Sequence, residues 1–294
     1  MAEMTYIQAI SDALRLEMRR DPRVFLMGED VGVYGGAFKV SQGFQEEFGP
    51  WRVIDTPLSE TAIVGGASGA ALMGLRPVAE MQFADFISCA WDHLVTVAAK
   101  QHFRGRTPVP IVVRLPSGPY EAKGLMKTAI RDEGPVVIFE DKMMYRVKGP
   151  VPAEDYTIPF GVAEVRRPGR DITIVATSSM VQVALDAATL LEEIGISAEV
   201  IDPRTTAPLD KQALIDSAKK TSRAIVVDEG YERYGVTAEI ASVIAEGAFY
   251  HLDAPVKRIG AMDVPVPFSP VLEDLTVPSS SMVFEAAKAL CRKA

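Results

Sequence analysis

Short apolar runs alternate along this chain with longer stretches whose apolar positions recur every three or four residues, the pattern of parallel strands covered by helices. The first long stretch opens at Thr5-x-x-Gln8, a capping box, and runs to about Arg20 with Ile7, Ile10, Leu14 and Met18 on its inner face. Residues 24–27, 52–54, 77–79 and 110–113 read as strands, each leading into a loop and usually a helix, and 135–139 closes the series. A glycine- and alanine-rich helix is predicted over 61–73. Residues 145–160 carry Pro150, Pro152 and Pro159 with little apolar periodicity and read as an interdomain linker. A second series follows, with strands at 171–176, 198–201, 224–227 and 255–259. Its helices fall at 181–194, stopped by Gly195, and near 210–219, 237–248 and 280–290. The pattern predicts two consecutive three-layer α/β/α domains with mostly parallel sheets: residues 1–145, a linker at 146–160, and 161–294.

Composition changes this picture little. A chain of 294 residues with 48% hydrophobic content can build two cores. The net charge of −8 comes from acidic residues scattered among basic ones, with no basic block to follow a phosphate backbone, which argues against nucleic acid. The opening residues lack a charged-then-apolar leader pattern and no apolar run reaches membrane-span length, so the expectation is a cytoplasmic protein with no membrane partner. Cys89 and Cys291 sit in unrelated settings, so no structural disulfide and a reducing compartment are expected.

Glu60 is the residue with the clearest chemical promise. It ends Asp55-Thr-Pro-Leu-Ser-Glu60, where a strand and proline turn deliver a carboxylate to the mouth of a small-residue helix. Desolvation there would raise its pKa toward the range useful for proton transfer. Spacing alone better suits a first-turn residue stabilised by the helix dipole, with Ser59 as candidate cap. The second domain shows no nucleotide fingerprint after its first strand: Thr177-Ser-Ser179 is polar but lacks the glycine spacing, and its expected role is assembly.

Several further stretches occur in a fixed order: Gly28-Glu-Asp-Val-Gly-Val-Tyr-Gly-Gly-Ala-Phe-Lys39, Gly74-Leu-Arg-Pro77, Glu80-Met-Gln-Phe-Ala-Asp-Phe86, Ala122-Lys-Gly124 with Ala129-Ile-Arg-Asp132, and Pro265-Val-Pro-Phe268. With the Glu60 segment, this ordered set resembles the β subunit of the E1 component of 2-oxo acid dehydrogenase complexes, thiamine-diphosphate enzymes related to transketolase. The resemblance implies that Glu60 hydrogen-bonds N1′ of the cofactor's aminopyrimidine and favours the imino tautomer whose 4′ nitrogen takes the thiazolium C2 proton. It places Leu58, Gln82 and Phe86 around the pyrimidine and Glu29 near the active-site entrance. From the residues alone, Phe86 reads as well as a helix-facing core residue, and Glu29 as a strand-end carboxylate in an ion pair or turn. Gly35-Gly36 would form a loop approaching the cofactor or an ordinary surface turn. Ala129, Asp132 and Gly134 match a region able to bind a monovalent cation, but a helix end before Pro135 explains them without an ion.

No Gly-Asp-Gly diphosphate segment occurs in the chain. The resemblance therefore implies an α2β2 heterotetramer, with thiamine diphosphate shared between subunits and Mg2+ held by the α subunit. The implied reaction is oxidative decarboxylation of a 2-oxo acid, pyruvate first with branched-chain acids or acetoin close behind, and reductive acylation of the lipoyl domain of an E2 acyltransferase. A stand-alone transketolase-like synthase would need the diphosphate segment in the same chain. One departure concerns Gly118–Pro119, where the family carries a few tens of further residues including a histidine-bearing loop. His93, His102 and His251 do not fill that place and read as structural or surface residues. The register on either side favours a loop left out of this sequence; a true deletion would instead suit a noncatalytic assembly subunit.

Overall fold

The computed structural model describes residues 2–113 and 119–291, which fall into two compact units divided after Pro159. In the first, β1 (Ala2–Thr5) precedes α1 (Tyr6–Arg20), β2 (Val24–Gly28), α2 (Phe44–Phe48), β3 (Val53–Asp55), α3 (Glu60–Leu72) and β4 (Arg76–Glu80). A 3-10 turn (Ala84–Ala90) and a π-helical turn (His93–Ala98) then lead into α4 (Ala99–Gly105), β5 (Val112–Val113), α5 (Pro119–Arg131) and β6 (Val136–Val137). A second 3-10 turn (Lys142–Arg146) and β7 (Lys148–Val151) complete the unit. Strands β3-β2-β4-β5-β6 form one parallel sheet.

The capping box forms as expected: Thr5 Oγ1 accepts from Gln8 N–H while Gln8 Oε1 accepts from Thr5 N–H. The inner face of α1 differs in one place. Ile10, Leu14 and Met18 are buried, but Tyr6 takes the place expected for Ile7, because the cap starts the helix at Tyr6 and turns that ring inward onto Tyr145, stacked at 5.8 Å. On the sheet's other face, Ile63, Val64, Ala67 and Ala71 of α3 pack against Ala79, Ile111 and Val113.

The expected linker contains structure. Lys148–Val151 pairs antiparallel with Ala2–Thr5, and Tyr156 stacks on Tyr120 at 4.8 Å, so this stretch folds with the first unit up to Pro159. Prolines that break periodicity are compatible with an edge strand, where no second partner needs their missing N–H.

The second unit orders its strands β12-β11-β9-β10-β8: β8 (Glu164–Arg167), β9 (Ile172–Ala176), β10 (Ala198–Asp202), β11 (Ala224–Tyr231) and β12 (Lys257–Ala261). All pair in parallel except β8, which runs antiparallel to β10 at the edge. Period-2 alternation sorts β9 between two cores. Ile172, Ile174 and Ala176 join α6 (Met180–Glu193), while Val175 joins α7 (Lys211–Thr221) and α8 (Val236–Ala248). The short α9 (Pro270–Glu273) precedes α10 (Ser280–Cys291), whose Val283 and Ala287 complete the α6 side. Gly195, at φ +80°, ends α6 in the left-handed conformation expected of it. Each unit is thus a sheet between helical layers, and no described helix is long and apolar enough to cross a membrane.

Candidate active site

Three neighbouring strands deliver the candidate residues to one edge of the first sheet. Gly28 pairs with Asp55 on one side and Glu80 on the other, so the chain leaves β2, β3 and β4 at the same level. Glu29 follows β2; Leu58 and Glu60 follow β3, after Thr56 N–H donates to Gly28 O at 2.9 Å; Gln82 and Phe86 follow β4. Because β2 lies between β3 and β4 while the chain visits them in the order β2, β3, β4, this is a topological switch point. Open α/β sheets bind ligands at the carboxyl edge of such a point.

The desolvated carboxylate is Glu29, where the sequence led us to expect Glu60. Glu29 is 4% exposed, and neither carboxylate oxygen has a hydrogen-bond partner among the described residues. Burial pushes its pKa above the usual glutamate value; the negative charges of Glu60 and then Asp30 push the same way. The backbone N–H of Ser59 weakly opposes them without making a hydrogen bond of ordinary geometry. Glu60 is half-buried in the first turn of α3, next to exposed Thr61 and Ala62. Ser59 occupies the cap position, yet its side chain makes no capping hydrogen bond, so the dipole at this helix start is left for other partners.

The loop between β2 and α2 is held close to the edge. Gly32 N–H donates to Asp55 Oδ1 at 2.5 Å, and a Cβ on Gly32 would collide with that carboxylate. Gly35 and Gly36 both adopt left-handed backbone, φ +81° and +82°, which returns the loop so that Ser41 Oγ donates to Val31 O at 2.7 Å. Leu58 is 80% exposed and Gln82 half-buried. Phe86 is 41% exposed and meets Phe83 edge-to-face at 5.7 Å, so it is not a core residue. The five candidates therefore share one edge, although their side chains range from buried to largely exposed.

Two charged groups at this edge escaped the sequence reading. Glu80, the last residue of β4, is 4% exposed. Lys142 has its Nζ buried without a hydrogen-bond partner and faced by Phe38 and Phe83. In Glu140-Asp-Lys-Met143 a lysine reads as part of a surface turn; only aromatic rings from distant segments mark it out. His93 lies in the π-helical turn with its ring against Gly65 of α3, His102 in α4, and His251 in a short 3-10 turn after α8. The expected loop at the Gly118–Pro119 junction falls on residues 114–118, which lie outside the described residues; Pro119 begins α5.

The second sheet has a comparable edge after β9 and β11, where the carboxylates Asp228 and Glu229 are paired, while the buried Thr237 hydroxyl at the start of α8 has no partner among the described residues. Thr177 hydroxyl donates to Asp228, Gly230 N–H donates to Asp228 Oδ1 at 2.7 Å, and Ser179 Oγ donates to Glu229 Oε2 at 2.7 Å.

Comparison with known proteins places both units. Residues 2–118 match the pyrimidine binding domain of transketolase and residues 161–283 match the transketolase C-terminal domain. The chain is 45% identical to the 2-oxoisovalerate dehydrogenase subunit beta of Bacillus subtilis (strain 168), over 93% of this chain and 94% of that protein. It is 44% identical to the pyruvate dehydrogenase E1 component subunit beta of Rickettsia felis, over 98% of both. A third relative, the acetoin:2,6-dichlorophenolindophenol oxidoreductase subunit beta of Bacillus subtilis (strain 168), is 42% identical over 94% of this chain and 93% of its own length. The first alignment spans 307 positions while using 93% of a 294-residue chain, so a few tens of positions inside the aligned span have no residue here. A solved structure titled "Split gene transketolase, inactive beta4 tetramer" shares the fold, with TM-score 0.81 at 22% identity over 98% of this chain and 99% of that one.

Proposed function

From the premise that this chain belongs to the transketolase-like E1 β subunits of 2-oxo acid dehydrogenase complexes, we propose that it is the pyrimidine-binding half of an α2β2 decarboxylase acting first on pyruvate. Branched-chain 2-oxo acids and acetoin, named in relatives of similar identity, are the next substrates to try. The reading continues with transfer of the acyl unit to the lipoyl group of an E2 acyltransferase.

The observation that carries the reading is the buried, unpartnered Glu29 carboxylate beside Glu60 at the switch point. A buried polar group without a partner costs stability unless something fills the place. An aminopyrimidine, rich in donors and acceptors, fits that requirement. Glu60 would hold the proton shared with ring atom N1′, while Leu58, Gln82 and Phe86 would wall the ring. Burial, and after it the charge of Glu60, raises the Glu29 pKa above the ordinary glutamate value, so two carboxyl groups that influence each other's ionisation face the same place. Thiamine diphosphate supplies, when bound, the electron sink that decarboxylation of a 2-oxo acid needs. Its diphosphate and Mg2+ belong in this reading to the α subunit, in keeping with the absence of Gly-Asp-Gly here. A cytoplasmic location is supported by two free cysteines, Cys89 and Cys291.

The test is reconstitution with the α subunit, measuring thiamine diphosphate binding by calorimetry and carbon dioxide release from each substrate. Weak cofactor binding by this chain alone and tight binding by the pair are expected; equal affinity would defeat the shared site. The missing aligned positions favour one second reading, a noncatalytic assembly subunit, which a pair that assembles but releases no carbon dioxide would support. Intact-mass analysis bears on it directly: 31.9 kDa means a true deletion, and a mass larger by a few tens of residues means the loop is present.

A further inference from the structure

The turn that follows β6 brings a cation to the candidate site from an unexpected direction. Asp141 caps it, accepting from Met143 N–H at 2.8 Å, and this sets Lys142 at the first position of the turn. Lys142 Nζ lies 3.1 Å from the ring centroid of Phe83 and 4.6 Å from that of Phe38. The ammonium is buried and has no hydrogen-bond partner among the described residues, so the ring faces are its nearest compensation, with the charges of Asp85 and Glu140 adding a longer-range attraction. Burial lowers its pKa below the ordinary lysine value.

The rings it holds come from the two segments that flank the candidate slot. Phe38 belongs to the glycine loop that begins with Glu29; Phe83 stands between Gln82 and Phe86. Phe38 and Phe83 meet edge-to-face at 6.2 Å, and Phe38 also meets Tyr145 edge-to-face at 5.5 Å. Tyr145 hydroxyl in turn donates to Glu140. Phe83 and Phe86 are 44% and 41% exposed, so burial alone does not fix their orientation. A cation seated over the Phe83 face orients that ring, because the attraction is directional, and Phe86 meets it edge-to-face. Beneath them lies a cavity of about 20 Å³ lined by Phe38, Glu80, Gln82, Glu140, Lys142 and Tyr145, room for about one water among polar groups.

We propose that Lys142 is a positioning residue: its ammonium clamps Phe38 to Phe83 and thereby fixes both the glycine loop and the Phe83–Phe86 wall on either side of the aminopyrimidine slot. The proposal rests on the functional reading above for the identity of the slot, but not for the clamp itself.

The experiment compares wild type, Lys142→Met and Lys142→Arg as full-length chains and as complexes with the α subunit. Methionine keeps length and apolar packing while removing the charge; arginine keeps a cation that stacks on rings. In the complex, Lys142→Met is expected to weaken thiamine diphosphate binding about tenfold, with kcat at saturating cofactor little changed and Lys142→Arg restoring affinity. In the chain alone, amide hydrogen exchange across 83–90 is expected to accelerate in Lys142→Met and return to wild type in Lys142→Arg. Should Lys142→Met not fold, Phe83→Leu removes the ring face instead and must give the same two changes. Unchanged affinity and exchange in the variant that folds would overturn the clamp. A wild-type complex that binds cofactor without decarboxylating would overturn the functional reading alone, leaving the exchange result to decide the clamp.

Discussion

The carboxyl edges of the two sheets are built alike and finished differently. Each lies at a switch point, where β2 is flanked by β3 and β4 in one unit and β9 by β11 and β10 in the other. In the second unit the carboxylates Asp228 and Glu229 are met by Thr177, Gly230 and Ser179, and the group left buried there without a partner among the described residues is a hydroxyl, Thr237 Oγ1 at the start of α8. In the first, the Glu29 carboxylate is buried with neither oxygen hydrogen-bonded among the described residues. Unsatisfied groups are costly in a folded chain, and they persist where a ligand completes them. The contrast between an unpaired carboxylate and paired ones supports the proposal that the chemistry belongs to the first edge.

The sharpest way to break this contrast is at Glu60. Glu60→Gln in the assembled enzyme is expected to slow decarboxylation and cofactor C2 proton exchange by at least about a hundredfold, the scale of general acid-base assistance; near-normal exchange would remove Glu60 from the chemistry. Asp228→Ala should do the reverse, costing about 1–2 kcal/mol in denaturant melts by stranding the Thr177 hydroxyl and the Gly230 N–H, with kcat unaltered. A large kcat loss there would mean the second edge is not merely structural.

Glu29→Gln sharpens the comparison through pH. Because the folded-state pKa of Glu29 is raised, its ionisation opposes folding as pH climbs above the ordinary value of 4.5. The unliganded variant should therefore melt above wild type at neutral pH, and the gain should vanish below that value. The smallest effect concerns Asp21, whose hydrogen bond from Arg23 holds its pKa down at about 2. The stability it contributes is present above its usual 3.8 and is lost as pH falls toward 2, so Asp21→Asn should flatten the acid limb of a pH melt.

Much of the fold was legible because its central strands are buried on both faces and therefore read as unbroken apolar runs, as at Ile172–Ala176. Two strands at sheet edges gave no such signal: Lys-Gly-Pro-Val in β7 and Glu-Val-Arg-Arg in β8 carry the charges and proline that edges tolerate, and only pairing reveals them. At the site, ordered motifs located Glu29, Leu58, Glu60, Gln82 and Phe86 along the chain, and strand register brings them to one edge. What sequence could not show was which carboxylate is buried. Glu29 reads as a strand-end carboxylate, and the segment that faces it, Ser59-Glu60, is brought there by the pairing of β2 with β3. Lys142 was hidden for the same reason, since its partners lie on segments far away in the chain.

The pairing of Ala2–Thr5 with Lys148–Val151 has a consequence for how such a gene can be rearranged. Strand β1, early in the first unit, and strand β7, near its end, stand side by side, register Ala2 to Val151, so the two are tied by a backbone ladder. A module of this kind can be lifted out, transplanted or joined in another order without threading chain through its core.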